Sequence, residues 1–286
     1  MKKSLEKAPL VHVLLDLRFS ESPALKNIPA DLEKTLHEKM MDIGFPEKIL
    51  SNTQHNEIQI NQDTNEFKYN VTDVKRLLFR AAGEQSIVEF SSSAVLLKAT
   101  QHSNFEDLSK KFMQVVEVLE NIFSIKKTLL KSLELRYVDV IVPVESYTLS
   151  DFFTSNLNIF KNLNKFQHEL GQIVKVVRTE DNQKLIVNFV ELPCIGKQIH
   201  QVLPNDLIEQ DPKCSLIIKG DDSWLKVESA TYGLLDIKHI HNFIGSPEFN
   251  LTTVKLTAKS LYNDLSDVFW DSLSDIAKKT WGYEEK

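Results

Sequence analysis

Cysteine, glycine and long apolar runs are all scarce in this chain, and each scarcity excludes a class of protein. Two cysteines, Cys194 and Cys214, stand among 286 residues, and neither lies in a CxxC or another short metal-ligand spacing. That is too few for a disulfide framework, and both read as reduced thiols. Eight glycines leave little material for a phosphate-cradling loop, and no GxGxxG, Walker, HExxH or GxSxG signature is present. The longest apolar runs are about five residues, far below the ~20 that span a bilayer. The opening Met-Lys-Lys-Ser-Leu-Glu-Lys-Ala-Pro-Leu carries no apolar stretch of the ~7–15 residues that a signal peptide places behind its lysines. These features point to a cytoplasmic protein with no membrane contact. A basic excess is also missing: 34 basic against 40 acidic residues give a net charge of −6, so no nucleic-acid partner is called for. The pairs Lys110-Lys111, Lys126-Lys127 and Lys278-Lys279 are short, lack interleaved aromatics and read as solvated helix faces.

What is there is ample core material, 42% hydrophobic with 26% charged residues, enough for one large domain or two intimately packed halves. Val11 to Phe19 alternates with period two between Pro9 and Pro23, a strand. Leu32, Leu36, Met40 and Ile43 follow at helical spacing, with Pro29 at the start and Gly44 at the end. From Ile49 to Thr100 short strands of an antiparallel meander are expected, with turns at Gln62-Asp63-Thr64-Asn65, Thr72-Asp73 and Ala82-Gly83-Glu84. Asn104 with Asp107 reads as a cap, after which Phe105, Leu108, Phe112, Val115, Val116, Leu119 and Ile122 trace one face of a long helix.

The second half opens with a strand over Leu129 to Val144, then a short helix from Ser150-Asp151. Strands are expected at Gln172 to Arg178, Lys184 to Leu192, Ser215 to Lys219, Lys226 to Thr231 and Leu234 to Ile240. The stretch from Pro193 to Pro212 reads as a loop or insertion, and a final helix carries Leu261, Leu265, Val268, Phe269, Leu273 and Ile276. The fold class is therefore α+β, antiparallel sheets covered by helices. Leu15-Asp16-Leu17-Arg18-Phe19 and Leu133-Glu134-Leu135-Arg136-Tyr137 share the order apolar, acidic, Leu, Arg, aromatic, which suggests two repeated strand-helix-meander-helix units, residues 1–125 and 126–286.

Several of these segments have a family look. Ala8-Pro9-Leu10-Val11 leading to Leu17-Arg18-Phe19, Leu77-Leu78-Phe79-Arg80 with Val88-Glu89-Phe90, Leu135-Arg136-Tyr137-Val138 ending at Val142-Pro143, and Asp267-Val268-Phe269 together resemble a sporadically distributed family of uncharacterised bacterial and archaeal proteins. The resemblance spans most of the chain. It implies an accessory role, of the kind carried by mobile elements or host defence islands, and supplies no catalytic residue. Where that family tends towards a second acidic residue, this chain has Asp236-Ile237-Lys238.

Four constellations are candidate sites. Asp222 with Asp236-x-Lys238 resembles the acidic-then-acid-x-Lys set with which restriction-type nucleases hold a divalent metal and steady developing phosphoryl charge; ordinary turn composition around Asp221-Asp222 and a solvated strand pair explain the same residues. His239 and His241 project to one face of a strand and could offer two imidazoles to a metal, though no third ligand is identifiable. Arg18 and Arg136, at matching places in the repeat, suit a carboxylate or phosphate ligand or an interface, against an internal role pairing Arg18 with Asp16 or Glu21 and Arg136 with Glu134 or Asp139. Phe269, Trp270 and Trp281, with Tyr283, form either an aromatic anchor for a partner or packing against the chain's own sheet. The leading expectation is a non-enzymatic binding or assembly protein without a cofactor, self-associating or joined to a protein partner such as a neighbouring gene's product. A metal-dependent nuclease and a sensor of a small anion are the alternatives.

Overall fold

The computed structural model describes residues 3–61, 66–144, 146–154, 157, 169–180 and 182–285, with the side chains of 53–74 and of Asp222 left out of the description. In chain order the elements are β1 (Lys3–Leu5), β2 (Leu10–Phe19), α1 (Pro23–Lys26), α2 (Ala30–Asp42), β3 (Glu47–Asn61), β4 (Glu66–Arg80), β5 (Ser86–Phe90), β6 (Ala94–Ala99) and α3 (Phe105–Phe123). There follow β7 (Leu130–Ile141), β8 (Gly171–Glu180), β9 (Gln183–Pro193), β10 (Thr231–Asn242), α4 (Leu251–Ser272), α5 (Asp275–Thr280) and β11 (Tyr283–Glu285). The fold is α+β. A nine-stranded antiparallel sheet runs in the order β3-β4-β5-β6-β2-β7-β10-β9-β8, and β1 pairs with β11 in a small second sheet.

Strand alternation decides what each face does. Val13, Leu15, Leu17, Leu133, Leu135, Leu235 and Ile237 point to one face, where they pack in a single core with Leu36 and Met40 of α2, Phe112, Val116 and Leu119 of α3, and Val254, Leu261 and Leu265 of α4. The two longest helices, α3 and α4, are capped: Asn104 accepts from the Asp107 N–H and Asn250 from the Thr253 N–H. The opposite face of the sheet carries charge and is covered by the irregular segment between β9 and β10.

The centre of the sheet is the β2–β7 pair. Its register places Leu15 opposite Leu135, Asp16 opposite Glu134 and Leu17 opposite Leu133, so the two similar pentapeptides meet antiparallel about the Asp16–Glu134 pair. Each of these strands is also flanked by the last strand of its own meander, β6 beside β2 and β10 beside β7.

Three local expectations are corrected. Thr72-Asp73 lies inside β4, paired with His55 and Gln54, so β3 and β4 form one long hairpin; the turn expected at residues 62–65 lies outside the described residues. Ser215 to Lys219 and Lys226 to Thr231 are not strands, β10 beginning only at Thr231. Their backbone groups bond to loops instead, the Ile217 N–H donating to the Glu84 carbonyl at 2.8 Å and the Val227 N–H to that of Lys197 at 2.8 Å. The last helix is two helices. At Leu273 the chain bridges to Phe153, and Ser274 then caps α5, so extended backbone interrupts the helical apolar period.

Candidate functional site

Charged residues on the polar face are consumed by one another. The Arg136 guanidinium forks onto Asp236, Nε to Oδ1 at 2.7 Å and Nη2 to Oδ2 at 2.8 Å, and also onto Asp206 at 2.6 and 3.0 Å. Both carboxylates hold the guanidinium's proton more tightly than usual, against the opposing effect of its burial. Nearer the other edge Arg76 donates to Glu209 at 2.7 Å and to Ser51 at 3.1 Å, and Lys98 to Glu89 at 2.9 Å. Asp206 and Glu209 belong to the segment between β9 and β10, which these bonds fasten over the sheet.

That arrangement places the residues singled out in the sequence. Asp236 is buried with both oxygens on Arg136, and Lys238, directly opposite Arg136 in the ladder, is close enough for its charge to act on Glu134. Asp222 opens a 3-10 turn, Asp222–Leu225, capped by Asp221 through the Ser223 N–H at 2.8 Å. Among the described residues no group of three or more His, Cys, Asp or Glu is arranged to hold a metal ion. His239 is fully buried: its Nδ1 faces the Leu261 carbonyl at 3.1 Å and therefore carries the proton, and its Nε2 takes the Thr179 hydroxyl at 2.9 Å. His241 sits beside the Asn182 amide at 3.1 Å. Arg18 pairs with Asp16 at 3.0 Å and is otherwise open, so the two arginines do not converge on one pocket. Trp281 is buried with Phe152 at 5.5 Å between ring centroids, whereas Phe269 and Trp270 pack edge to face at 5.3 Å on the wall of a cavity.

This cavity, about 640 Å³, lies at the helix-covered face between β7, α4, the residues before α3 and the start of the chain. Its floor is a group that the sequence reading used only as an ion-pair partner. Asp139 is 3% exposed, opens into the cavity and has no hydrogen-bond or ion-pair partner among the described residues. Burial, helped by the charge of Asp236 behind it, pushes its carboxyl up to about 8. The backbone explains why the group is there. Leu10 of β2 pairs with Asp139 and His12 with Val138, so Val11 is bulged out and the ladder is interrupted beside the carboxyl.

Two residues earlier on the same face, the Tyr137 hydroxyl lies 3.4 Å from Nε2 of His102. Burial raises the phenol well above its ordinary value and lowers His102 to about 4, Asp107 pulling the imidazole the other way. Nδ1 of His102 is buried without a partner. The remaining walls are aromatic. Phe105 and Tyr262 stack at 4.1 Å with their planes 7° apart, and the Lys259 ammonium rides over both rings at 5.4 and 5.0 Å. Lys3 sits 5.9 Å from the Trp270 ring at the opposite rim. Such a floor and walls can hold an apolar body and recognise one polar group.

A larger cavity, about 910 Å³, lies beyond the start of β2 and is lined by Val11, Val140, Trp224 and Trp281 with Lys7 and Lys279 at its mouth. Its charged groups are exposed, and volume alone marks no chemistry, so the smaller cavity with a buried carboxyl is the stronger site. The sequence did carry a sign of it. Asp139 is the one charged residue in Val138-Asp139-Val140-Ile141-Val142, and an acid inside a strand buried on both faces has no solvent to turn to. His102 and Tyr137 gave no such sign, because only the fold brings a residue before α3 against β7.

The chain matches none of the known protein-family models, and no curated protein matches it.

Proposed function

We propose that this chain is a non-enzymatic binding protein whose ligand is a small molecule with an apolar body and one polar group, held in the cavity above Asp139. The buried, unpartnered carboxyl carries the reading. A carboxyl that opens to a cavity and has no partner among the described residues takes its partner from that cavity. The aromatic walls supply contact area and the Tyr137–His102 couple a second polar contact. The test is a ligand-observed fragment screen against the wild type and Ser266→Phe, which fills the cavity from α4. Fragments that bind the wild type and not the variant are expected; fragments that bind both equally, or none that bind at all, would overturn the reading.

A second reading, self-association, has an observation of its own. β8 is one of the two outer strands of the described sheet, and Val174, Val176 and Val177 on it are each about half exposed. Pairing of two β8 strands would make the protein a dimer, alongside the accessory role implied by the family resemblance. Light scattering reads this directly: a dimer that Val176→Lys turns into a monomer supports it, and a monomeric wild type defeats it. In the same terms, the symmetric meeting of the two pentapeptides about Asp16 and Glu134 supports a duplicated origin for the two halves.

A further inference from the structure

We infer that the group recognised at the floor of the cavity is a cation, and that the ligand is an aryl or alkyl amine whose ammonium sits against Asp139. This rests on the binding reading above and narrows it. The carboxyl is the deepest polar group in the cavity and lacks a counter-charge, whereas the acids of the polar face, Asp236, Glu209 and Glu89, each have an arginine or lysine within hydrogen-bond reach. An ammonium is the group that a partnerless buried carboxylate lacks. The walls agree with the floor: at the rim, Lys259 and Lys3 already place ammonium groups over Phe105, Tyr262 and Trp270. Lys259 is drawn outward to Glu106 at 3.3 Å, which leaves the floor to the ligand.

Protonation gives the inference a sign. In the free protein burial keeps Asp139 protonated up to about pH 8, so binding an ammonium must drive off that proton. Affinity for an amine therefore rises with pH, roughly tenfold per unit up to about pH 8, and then levels. The other groups facing the cavity are His102, Tyr137, Tyr262, Glu106, Asp267, Lys3 and Lys259, with Asp236 behind the sheet. His102 titrates near 4 and Tyr137 well above its ordinary value, so neither changes charge between pH 6 and 8.

The experiment compares 2-phenylethylamine, 2-phenylethanol and 3-phenylpropionate on the full chain. Binding is read from the Trp270 indole resonance, assigned with Trp270→Phe. The amine is expected to bind at least tenfold tighter than the alcohol at pH 8 and to weaken at pH 6. Asp139→Asn, of the same shape, should abolish the preference and spare the alcohol; its resonance dispersion shows that it folds. Equal or tighter binding of the alcohol or carboxylate, or an amine preference that survives Asp139→Asn, would overturn the amine assignment while leaving the cavity as a binding site. Silence of the indole towards all three probes would defeat the cavity reading and the amine assignment with it.

Discussion

Arg18 and Arg136 occupy the same place in two similar pentapeptides, on two strands that meet at the centre of one sheet, and they lead different lives. The Arg18 side chain is 64% exposed and holds one partner, Asp16; the Arg136 side chain is 5% exposed and is bonded by two carboxylates. Neither difference is local. The two strands have the same alternation and the same neighbouring acid, but the segment between β9 and β10 brings Asp206 over Arg136, and β10 brings Asp236 beside it. Arg18 lies beyond that cover. The lesson is that an arginine's energetic weight is set by what closes over it, since the same ion pair is worth little in water and much when desolvation makes its loss uncompensated.

Breaking the buried member should cause the largest loss of stability. Arg136→Ala strands Asp236 inside the protein and is expected to lower unfolding free energy by about 3–5 kcal/mol in urea titration. Replacing the pair together, as Arg136→Met with Asp236→Leu, should cost clearly less than the single change, because no buried charge is left behind. A double variant as damaged as the single would show that the guanidinium's hold on Asp206, rather than its pairing with Asp236, secures the segment.

The cavity side of the same strand offers an effect with the opposite sign, one that grows with pH. Asp139 keeps its proton to about pH 8 when folded, while in the unfolded chain it loses it near the ordinary ~4. Between those values the unfolded state binds fewer protons, so this group's contribution falls as pH rises, by up to about 1.4 kcal/mol per unit, and is constant above about 8. Asp139→Asn should therefore gain stability over the wild type progressively from pH 5 to pH 8. Equal pH profiles would mean that the carboxyl finds a partner in the folded protein. His102 acts in reverse: its folded value near 4 lies below the ordinary ~6.5, so its contribution is lost as pH falls through that interval. His102→Gln should flatten the acid limb of the melt.

The exposed member of the comparison should matter least. Arg18→Ala is expected to cost below about 1 kcal/mol, with the remainder set by Asp16, whose carboxyl is already pushed upward by burial against the pull of Arg18 and can take a proton instead. A loss as large as that of Arg136→Ala would mean that the two strands are energetically alike after all.

Much of the architecture was legible because it is written in short periods. Val11 to Phe19 alternates, Leu129 to Val144 is long and β-branched towards its end, and Phe105 to Ile122 repeats every three to four residues, so β2, β7 and α3 come from local pattern alone. Pattern failed where the partner was absent. Ser215 to Lys219 has a strand's composition, yet its backbone bonds loop carbonyls and no neighbouring strand forms a ladder with it. Asp236 with Lys238 reads as a metal site or a solvated pair and His239 as a metal ligand; Asp236 and His239 are instead buried and satisfied within the chain.

What the sequence alone determined is the class of fold and the identity of its long elements, since periodicity, caps and turn residues act over a few positions. Which face of the sheet would be covered by helices and which by an irregular segment, and so which arginine would be buried and which carboxyl left without a partner, was decided only by tertiary structure. The reason is that burial and charge pairing belong to groups brought together from far along the chain. Arg136 and Asp236 are one hundred residues apart, and neither carries a local mark of the other.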